Sequence, residues 1–410
     1  MKVTVIGAGL AGLSASVELA SRGAEVTVLE AAAQAGGRCR SYVDPVLEMT
    51  LDNGNHLVLS GNRATFDYLR TIGSADRLVG PDEALLDFHD LTTAERWTIR
   101  PNASALAWWV LSPDRRVPGT RAGDYLALAK MLLPQGGRRI DEAIACQGAL
   151  WDRLLEPFLL AALNTEAKSG SAALAQAVIA ESLARGGNAY RPRIAHPNLS
   201  AAFIEPALAY LAARGATVRL SAPVRGLAFD GDRVSGIVMA EGEAPVADGE
   251  AVILATPPWI SQGLLPGLNA PDEFNAIVNG HFRFTPPPGL APIVGVIGGA
   301  AQWIFAFDDR LSVTVSAAAD LADQDREDLA RLFWRDIAAV HGLPPELPPW
   351  RIVKERRATF AATPAQNAKR PLAATTWRNL ALAGDWTATG LPATIEGAIR
   401  SGRTAAALVG

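Results

Sequence analysis

Residues 2–30 read KVTVIGAGLAGLSASVELASRGAEVTVLE, and this stretch decides the fold. Its β-branched start, Lys2–Ile6, predicts a short strand, and Gly7–Gly12 (GAGLAG) predicts a tight turn. Leu13–Ser21 has helical composition, with apolar residues at positions 13, 17 and 20. Glu25–Leu29 predicts a second strand. The order of strand, turn, helix and strand is typical of the start of a βαβ unit.

The three glycines of this turn have separate roles in binding a dinucleotide. Gly7 allows a backbone angle that other residues resist, Gly9 lets the main chain approach a pyrophosphate, and Gly12 lets helix and strand pack closely. Glu30 ends the second strand 18 residues after Gly12, where a carboxylate binds both ribose hydroxyls and disfavours a 2′-phosphate. The alternative, a glycine-rich surface turn, leaves Glu30 unexplained. We therefore predict a Rossmann-type dinucleotide site, with contacts from Gly7, Gly9, Leu10, Ala11, Gly12 and Glu30.

Two further segments favour FAD over NAD as this dinucleotide. Gly36-Gly37-Arg38 brings a second glycine pair near the phosphates and places Arg38 to pair with them. Far along the chain, Gly384-Asp385 precedes a helix predicted from about Pro392 to Leu408. We expect Asp385 to accept from ribityl hydroxyls, and the helix N-terminus to stabilise reduced flavin by roughly 0.3–2 kcal/mol. The predicted flavin contacts later in the chain are Val224, Gly384, Asp385, Pro392, Thr394 and Ile395.

Composition narrows the class of protein further. The 410 residues exceed what one core usually supports, so we expect two lobes. A net charge of −4 without a basic block argues against a nucleic-acid partner. Cys39 and Cys146 are too few for a disulfide framework and fit a reducing compartment, and the five scattered histidines lack metal-ligand spacing. The N-terminus does not resemble a signal peptide, and no apolar run of about 18 residues predicts a transmembrane helix.

Several motifs resemble those of one flavoprotein superfamily, which includes the amine oxidases and the phytoene desaturases. They are GAGLAGLSAS (7–16), Glu30, GGRCRS (36–41), DNGNH (52–56) and GDWTATGLPATIEGAIRSG (384–402). Within it, residues 52–56, 302–305 (QWIF) and 384–401 resemble the squalene-associated desaturase-like family, the hydroxysqualene dehydroxylases of bacterial hopanoid synthesis. The resemblance implies non-covalent FAD, a two-lobed fold and a C30 isoprenoid substrate. The reaction it implies is reductive removal of the hydroxyl of hydroxysqualene to give squalene.

Dinucleotide-type segments at the start, middle and end of the chain predict that the two lobes are interleaved. We expect an α/β protein whose Rossmann-like FAD-binding domain comprises residues 1–82, 196–258 and 371–410. An α+β substrate-binding domain of the amine-oxidase type would comprise residues 83–195, which are rich in helix, and residues 259–370.

The implied chemistry needs hydride from flavin N5, acid help for the leaving hydroxyl, and shelter for a carbocation. Gly54, Asn55 and His56 lie in a turn that resembles the family's flavin-facing segment, and His56 is the first candidate for the acid or for orienting the hydroxyl. The structural alternative is a histidine bonded to backbone. Asp52 is a second candidate acid, with a turn residue bonded to its own backbone as the alternative. Glu396 acts either near the flavin or only through the helix dipole.

Aromatic side chains are candidates, as a set, for the lining of a substrate tunnel, although core packing explains any single one of them better. They are Trp97, Trp108, Trp109, Trp151, Phe158, Trp303 and Phe305. Trp108–Leu111 and Tyr125–Leu133 are also candidates for a membrane-facing surface. A C30 chain has a nominal transfer energy above about 20 kcal/mol, so it does not diffuse freely through water. We therefore expect a long apolar tunnel, a cytoplasmic protein peripheral on the inner face of the membrane, and substrate delivery from the bilayer or an upstream squalene-pathway enzyme.

Three other functions fit parts of the same pattern. A carotenoid-type desaturase shares fold and cofactor but uses oxidised FAD. A flavin amine oxidase often has a lysine near N5, whereas the corresponding stretch Ala276–Phe284 contains Asn279, His281 and Arg283 but no lysine. A non-catalytic FAD-binding subunit is the third, and the intact motifs at both ends of the flavin argue against it.

Overall fold

The computed structural model describes all residues from Met1 to Gly410. Its strands, in chain order, are β1 (Lys2–Ile6), β2 (Glu25–Leu29), β3 (Ser41–Asp44), β4 (Met49–Asp52), β5 (Val58–Leu59), β6 (Leu78–Val79), β7 (Leu86–Asp90), β8 (Glu95–Ile99), β9 (Pro192–Ala195), β10 (Thr217–Arg219), β11 (Gly226–Asp230), β12 (Arg233–Met239), β13 (Gly242–Pro245), β14 (Ala251–Leu254), β15 (Phe274–Arg283), β16 (Ile293–Ile297), β17 (Trp303–Ala306), β18 (Arg310–Val315), β19 (Trp350–Phe360) and β20 (Leu380–Leu382). Its α-helices are α1 (Leu10–Ser21), α2 (Arg63–Ile72), α3 (Leu126–Met131), α4 (Ile140–Ala143), α5 (Glu156–Leu163), α6 (Ala172–Glu181), α7 (Glu205–Ala212), α8 (Pro258–Leu264), α9 (Ala319–Asp323), α10 (Arg326–His341), α11 (Pro364–Ala368) and α12 (Ile395–Val409).

One lobe is built on a parallel sheet of five strands in the order β10-β2-β1-β14-β20. All four residues of β14 are buried, as expected for a strand covered on both faces. Helices α1 and α12 pack against each other, and a Cβ on Gly402 would lie only 2.2 Å from the carbonyl oxygen of Ala11. The absence of a side chain at Gly402 therefore lets the first and last helices touch backbone to backbone.

The second large sheet has seven strands in the order β19-β15-β18-β17-β16-β7-β8. Its pairs are antiparallel except for β16 with β7. Helix α10 contacts β15 and β19 and buries Phe333 and Trp334 almost completely. Residues 100–190 between the sheets form a helix-rich insert.

The α/β fold with a Rossmann-like parallel sheet is confirmed, and β1 and β2 have the bounds that the sequence predicts. Two helix predictions were wrong in their bounds. Helix α1 begins at Leu10, inside the glycine turn, and α12 begins at Ile395, three residues after Pro392. A π-helical turn, Ser200–Ile204, directly precedes α7.

The strands of the two large sheets lie within the ranges predicted for the FAD-binding and substrate-binding domains, respectively. Strand pairing crosses that division, because β9, at the end of residues 83–195, pairs with β5 and β6. The hydrophobic core also crosses it: a single cluster of buried side chains contains Ile6 and Leu254 of the parallel sheet together with Trp109 of the insert. The division into two domains therefore stays a prediction.

Candidate functional site

The N-terminus of α1 has the features of a phosphate-binding site. Gly7 has φ = +106°, and a Cβ on it would lie 2.7 Å from the carbonyl oxygen of Ala255. A Cβ on Gly12 would lie 1.9 Å from the carbonyl oxygen of Gly7, so only glycine fits there. Gly9, at the N-cap, has no atom near its Cβ position, and no side chain caps the helix. The first N–H groups of α1 therefore face open space, as anion binding requires.

Glu30 lies beside this turn, as its position in the sequence predicts. Its Oε2 accepts from the N–H of Ala8 at 2.7 Å, and its Oε1 accepts from the N–H of Ala32 at 2.9 Å. A carboxylate has about four acceptor positions, so these two bonds leave capacity for ribose hydroxyls. The glycine turn therefore holds the Glu30 carboxylate in position through the N–H of Ala8.

The second glycine pair lies against the first. The N–H of Gly36 donates to the carbonyl oxygen of Ala8 at 2.8 Å, and Gly36 forms a parallel bridge with Gly9. Both Gly36 and Gly37 have positive φ, at +112° and +56°. The structure thus brings two main-chain segments without side chains to one place, as a pyrophosphate site needs.

Arg38 and Asp385 contact each other across 347 residues of sequence. Nη2 of Arg38 lies 2.8 Å and 2.7 Å from the two carboxylate oxygens, and Nη1 donates to the carbonyl oxygen of Ala358. We predicted that Arg38 pairs with phosphate and Asp385 with ribityl hydroxyls. In the structure the two side chains form an ion pair, which links the second glycine segment to the residues that follow β20, the last strand of the parallel sheet.

Arg370 is a site residue that the sequence did not indicate. Its Nη2 donates to the carbonyl oxygen of Asp385 at 3.0 Å and to Oγ1 of Thr389 at 2.8 Å, and also to the carbonyl of Thr387. Burial lowers the pKa of Arg370 to about 10, although Asp385 opposes the shift. The guanidinium remains charged at neutral pH and fixes the segment that follows β20. Gly384 in this segment donates its N–H to Oγ of Ser401 at 2.8 Å.

The start of α12 differs in detail from the prediction. Thr394 is the N-cap, and its Oγ1 accepts from the N–H of Gly397 at 3.0 Å. Pro392 precedes the helix, and Ile395 is its first residue. Glu396 is buried, and its carboxylate accepts from the N–H groups of Ala64 and Thr65 at the start of α2 rather than facing an open site. The structural alternative for Glu396 is thus supported, with a neighbouring helix as its partner.

The three candidate catalytic residues, at the end of β4 and in the turn after it, differ in their contacts. Asp52 ends the strand, and its Oδ1 accepts from the hydroxyl of Ser41 at 2.6 Å and from the N–H of Leu199 at 2.9 Å. Its Oδ2 lies 3.7 Å from Nη2 of Arg310. Burial raises the pKa of Asp52. These contacts hold β4 against neighbouring segments, not against its own turn, so they favour a structural role.

Asn55 is attached to the seven-stranded sheet by residues outside every motif. Its Nδ2 donates to Oγ1 of Thr314 at 3.0 Å, and that hydroxyl donates to Oδ1 of Asn279 at 2.8 Å. A Cβ on Gly54 would lie 3.0 Å from Nδ2 of Asn279. Asn279, in the strand where an amine oxidase has its lysine, therefore positions the turn that carries His56.

His56 is half-buried, and none of its ring nitrogens has a hydrogen bond to the protein. Burial and, secondly, the nearby Arg38 guanidinium lower the pKa of His56 to about 4. The imidazole is consequently neutral at pH 7. It can donate or accept one hydrogen bond to a ligand, but it does not carry the extra proton of an acid.

The predicted tunnel residues fall into two groups. Trp97, Trp151 and Phe305 are buried, and Trp303 and Phe158 are partly buried. Phe88 stacks on Trp97 at 5.5 Å and meets Trp303 edge-on at 5.7 Å, which packs together aromatic side chains of β7, β8 and β17. The buried indole N–H groups of Trp97, Trp151 and Trp303 have no partner in the protein.

Trp108 belongs to the other group, because almost half of its side chain is exposed. Val224 is partly buried, two residues before β11, and packs against the largest core cluster. No continuous tunnel is traced by these contacts, so the tunnel stays a prediction.

The residues present fit FAD. An uncapped helix N-terminus with two glycine segments suits the pyrophosphate, Glu30 suits the ribose of the adenosine half, and a second helix, α12, begins beyond Asp385. The residues of this site come from the start and the end of the chain, as the interleaved organisation predicts. The contacts of the individual residues with the cofactor stay predictions.

Comparison with known proteins agrees with this fit. The family model for flavin-containing amine oxidoreductases matches residues 10–410. Among solved structures, cyclohexylamine oxidase from Brevibacterium oxydans IH-35A superposes with a TM-score of 0.71 over 100% of this chain and 98% of that one, at 15% identity. At that identity the likeness shows the fold alone. The match to the flavin family, together with the site geometry, establishes FAD as the cofactor.

Curated relatives are much more similar in sequence. The chain is 53% identical to hydroxysqualene dehydroxylase of Rhodopseudomonas palustris over 99% of this chain and 98% of the relative. It is 51% identical to hydroxysqualene dehydroxylase of Sinorhizobium fredii over 99% of this chain and 97% of the relative. The chain therefore belongs to the flavin-containing amine oxidoreductases and, within them, to the hydroxysqualene dehydroxylase family.

Proposed function

We propose that this protein is an FAD-dependent oxidoreductase that converts hydroxysqualene to squalene. The observation that carries the proposal is identity of about half of all residues, over nearly the whole length, with proteins named for this reaction. The absence of lysine from Phe274–Arg283 supports it against an amine oxidase.

The reaction balances as a two-electron reduction with loss of water. The carbon–oxygen bond of the substrate breaks, the carbon gains a hydride, and the hydroxyl leaves with one proton as water. Bound FAD in its reduced form supplies the hydride. The protein's part is to hold the carbon and the hydroxyl in position and to exclude water, which supplies most of the advantage of an enclosed reaction.

His56 acts in this scheme as an orienting hydrogen-bond partner for the substrate hydroxyl. Its lowered pKa makes it neutral at pH 7, which disfavours the role of protonated acid that its position first indicated. Asn55 adds an acceptor next to His56, because its buried Oδ1 has no partner in the protein. The bond from Asn55 to Thr314 attaches the turn to β18, so the backbone that carries Asn55 and His56 keeps a fixed position.

Aromatic side chains of the insert and of the seven-stranded sheet provide the apolar end of the site. Trp97, Trp303 and Trp151 offer ring faces that stabilise positive charge, by roughly 0.5–2 kcal/mol each at contact. Their unpartnered N–H groups are donors in an otherwise apolar surrounding. This combination suits a long hydrocarbon with one polar group.

We also propose that the protein works at the inner face of the membrane and receives its substrate from the bilayer or from an upstream enzyme of squalene synthesis. A C30 hydrocarbon is retained by apolar surroundings, which supports this location. No helix of the structure has the length and apolar character needed to cross a bilayer. Contact with the membrane would therefore be peripheral.

The test is anaerobic mixing of dithionite-reduced protein with hydroxysqualene. We expect the flavin to be reoxidised while squalene appears in equal amount. Phytoene with a quinone and oxidised protein tests the desaturase alternative, and amines with peroxide detection test the oxidase alternative. Squalene formation in the first assay alone supports the proposal; product only in either of the other assays contradicts it.

A variant pair tests the role of His56. We expect His56→Gln, which keeps a neutral donor, to retain more turnover than His56→Ala, with a flat pH profile between pH 6 and 8. His196→Gln is the matched control, because His196 is an exposed histidine far along the sequence from the turn. A pH profile of the unaltered enzyme that follows a group titrating near pH 6.5 and disappears in His56→Gln would show an acid instead.

A further inference from the structure

Exposed apolar side chains are concentrated on one part of the insert. Six of the fifteen large apolar side chains that are exposed in the whole chain lie between residues 106 and 133. We call these six the insert patch: Leu106, Trp108, Leu111, Leu126, Leu132 and Leu133. Leu111 and Leu126 are 68% and 65% exposed, so the patch is not a row of half-covered core residues.

The two segments that carry the patch are held next to each other by buried contacts. Trp109 meets Tyr125 edge-on at 5.3 Å, and the hydroxyl of Tyr125 accepts from the N–H of Val117 at 3.0 Å. The N–H of Trp109 donates to Oδ1 of Asn102 at 3.2 Å. The inward-facing residues are thus firmly packed, while their neighbours in sequence project outward. The exposed side chains of the insert patch therefore lie on a well-packed part of the protein.

Basic side chains surround the patch. Residues 100–138 contain six arginines or lysines and only two acidic residues, in a chain whose net charge is −4. None of these six basic side chains forms a salt bridge. Arg121 and Lys130 are exposed beside Leu126, and the guanidinium of Arg115 lies 4.8 Å from the ring of Trp108. Unpaired cations around exposed leucines and a tryptophan complement a negatively charged apolar phase.

We infer that the insert patch docks onto the surface of an anionic lipid bilayer, with its leucines among the acyl chains and its basic side chains at the headgroups. The inference deepens the proposed function, on which it rests, by naming the surface and the lipid charge that it recognises. Tryptophan with an adjacent arginine is typical of the headgroup level, where Trp108 and Arg115 would lie. Each basic side chain near an anionic surface strengthens binding about fivefold.

The patch is also continuous with the interior. Trp109, Tyr125 and Met131, directly beneath it, belong to the same buried cluster as Ile6 and Leu254 of the parallel sheet. Apolar side chains are therefore packed against one another from the patch to the parallel sheet of the FAD-binding lobe. Docking there brings this side of the protein to the phase that dissolves the substrate.

The experiment is sedimentation of the FAD-loaded protein with vesicles of phosphatidylcholine alone or with one-third phosphatidylglycerol. We expect binding to the anionic vesicles that weakens as salt is added. Leu111→Ser/Leu126→Ser and Arg121→Glu/Lys130→Glu should each reduce binding at least tenfold. The matched controls are Val43→Ser/Val46→Ser, whose side chains are 72% and 65% exposed. Arg77→Glu/Arg214→Glu replaces exposed arginines without salt bridges elsewhere.

Three results would overturn the inference. They are no binding to either vesicle, equal binding to both, or binding that the controls reduce as much as the patch variants do. A concentration-dependent dimer abolished by Leu111→Ser/Leu126→Ser would assign the patch to a second copy instead. Turnover of detergent-dispersed hydroxysqualene should be unchanged in the patch variants, so failure of docking and failure of the proposed reaction are distinguishable.

Discussion

Replacement of Glu396 separates a catalytic from a structural role for the last helix. Its carboxylate is 3% exposed and accepts from the N–H of Ala64 at 3.1 Å and from the N–H and hydroxyl of Thr65 at 2.8 and 2.7 Å. It also accepts from Nε of Arg400 at 2.8 Å. Asn62, the N-cap residue of α2, makes no side-chain capping bond, so Glu396 performs that function from 331 residues away.

The expected magnitudes follow from these bonds. Glu396→Gln keeps the shape but loses the charge, and bonds to a charged acceptor contribute about 1.5–3 kcal/mol, so we expect a loss of about 2 kcal/mol in the free energy of unfolding. Glu396→Ala leaves two N–H groups and one hydroxyl without their acceptor, and we expect about 3–5 kcal/mol. Arg400 retains Glu181 as a partner at 2.6 Å, which limits the effect of the second substitution.

Guanidinium denaturation of the FAD-loaded protein, followed by tryptophan fluorescence, measures these losses, and turnover is measured on the folded fraction. The matched control is Glu327→Gln, which removes an exposed first-turn carboxylate of α10 and should change stability by less than about 1 kcal/mol. Suppose that Glu396→Gln unfolds like the unaltered protein but turns over 100-fold more slowly. The carboxylate would then act at the flavin, and the capping argument would be refuted.

The remaining predictions concern cofactor binding and pH. Gly12→Ala should purify without yellow colour, because its Cβ would lie 1.9 Å from the carbonyl oxygen of Gly7. The control Gly123→Ala, which has open space at its Cβ, should retain FAD. Equal absorbance of the two variants at 450 nm would contradict this prediction. Glu30→Gln should weaken FAD binding about tenfold in a fluorescence titration, as expected for loss of one charge-assisted bond; an unchanged Kd would exclude ribose binding by Glu30. His281 is fully buried, and burial lowers its pKa to about 3. The unfolded chain therefore takes up the proton first as pH falls below about 6.5, and stability should drop by about 2 kcal/mol between pH 7 and 5. His281→Asn should reduce this loss of stability between pH 7 and 5. An unchanged loss would show that other groups cause it.

The elements of the fold that the sequence predicted correctly are those determined by residues close together in the sequence. Strands Lys2–Ile6 and Glu25–Leu29 have the predicted bounds because β-branched runs and the glycines between them are local signals. The start of α1 was misplaced for a physical reason. Gly9 serves as the N-cap, so Leu10–Gly12 belong both to the glycine turn and to the first helical turn.

The sequence predicted many of the residues of the candidate site, but not which residues contact each other there. Arg38 and Asp385 were each expected to meet the cofactor, and those contacts stay predictions. The structure adds that the two side chains pair with each other, which sequence does not show because it gives the chemical type of a group and not its nearest opposite charge. Asn279 and Arg370 belong to no motif, and only the folded chain brings them to the turn of His56 and to the segment after β20. Long-range contacts of this kind decide which candidate residues remain free to act.

The direct contact between the first and last helices has a consequence for biosynthesis. Gly402 touches the backbone of Ala11, and β20 is an edge strand of the parallel sheet, so the FAD-binding lobe is incomplete until β20 and α12 have been translated. Chains generally fold from the N-terminus as translation proceeds. In this protein the glycine turn is translated long before the helix that packs against it. We therefore expect FAD to bind stably only after α12 has been translated.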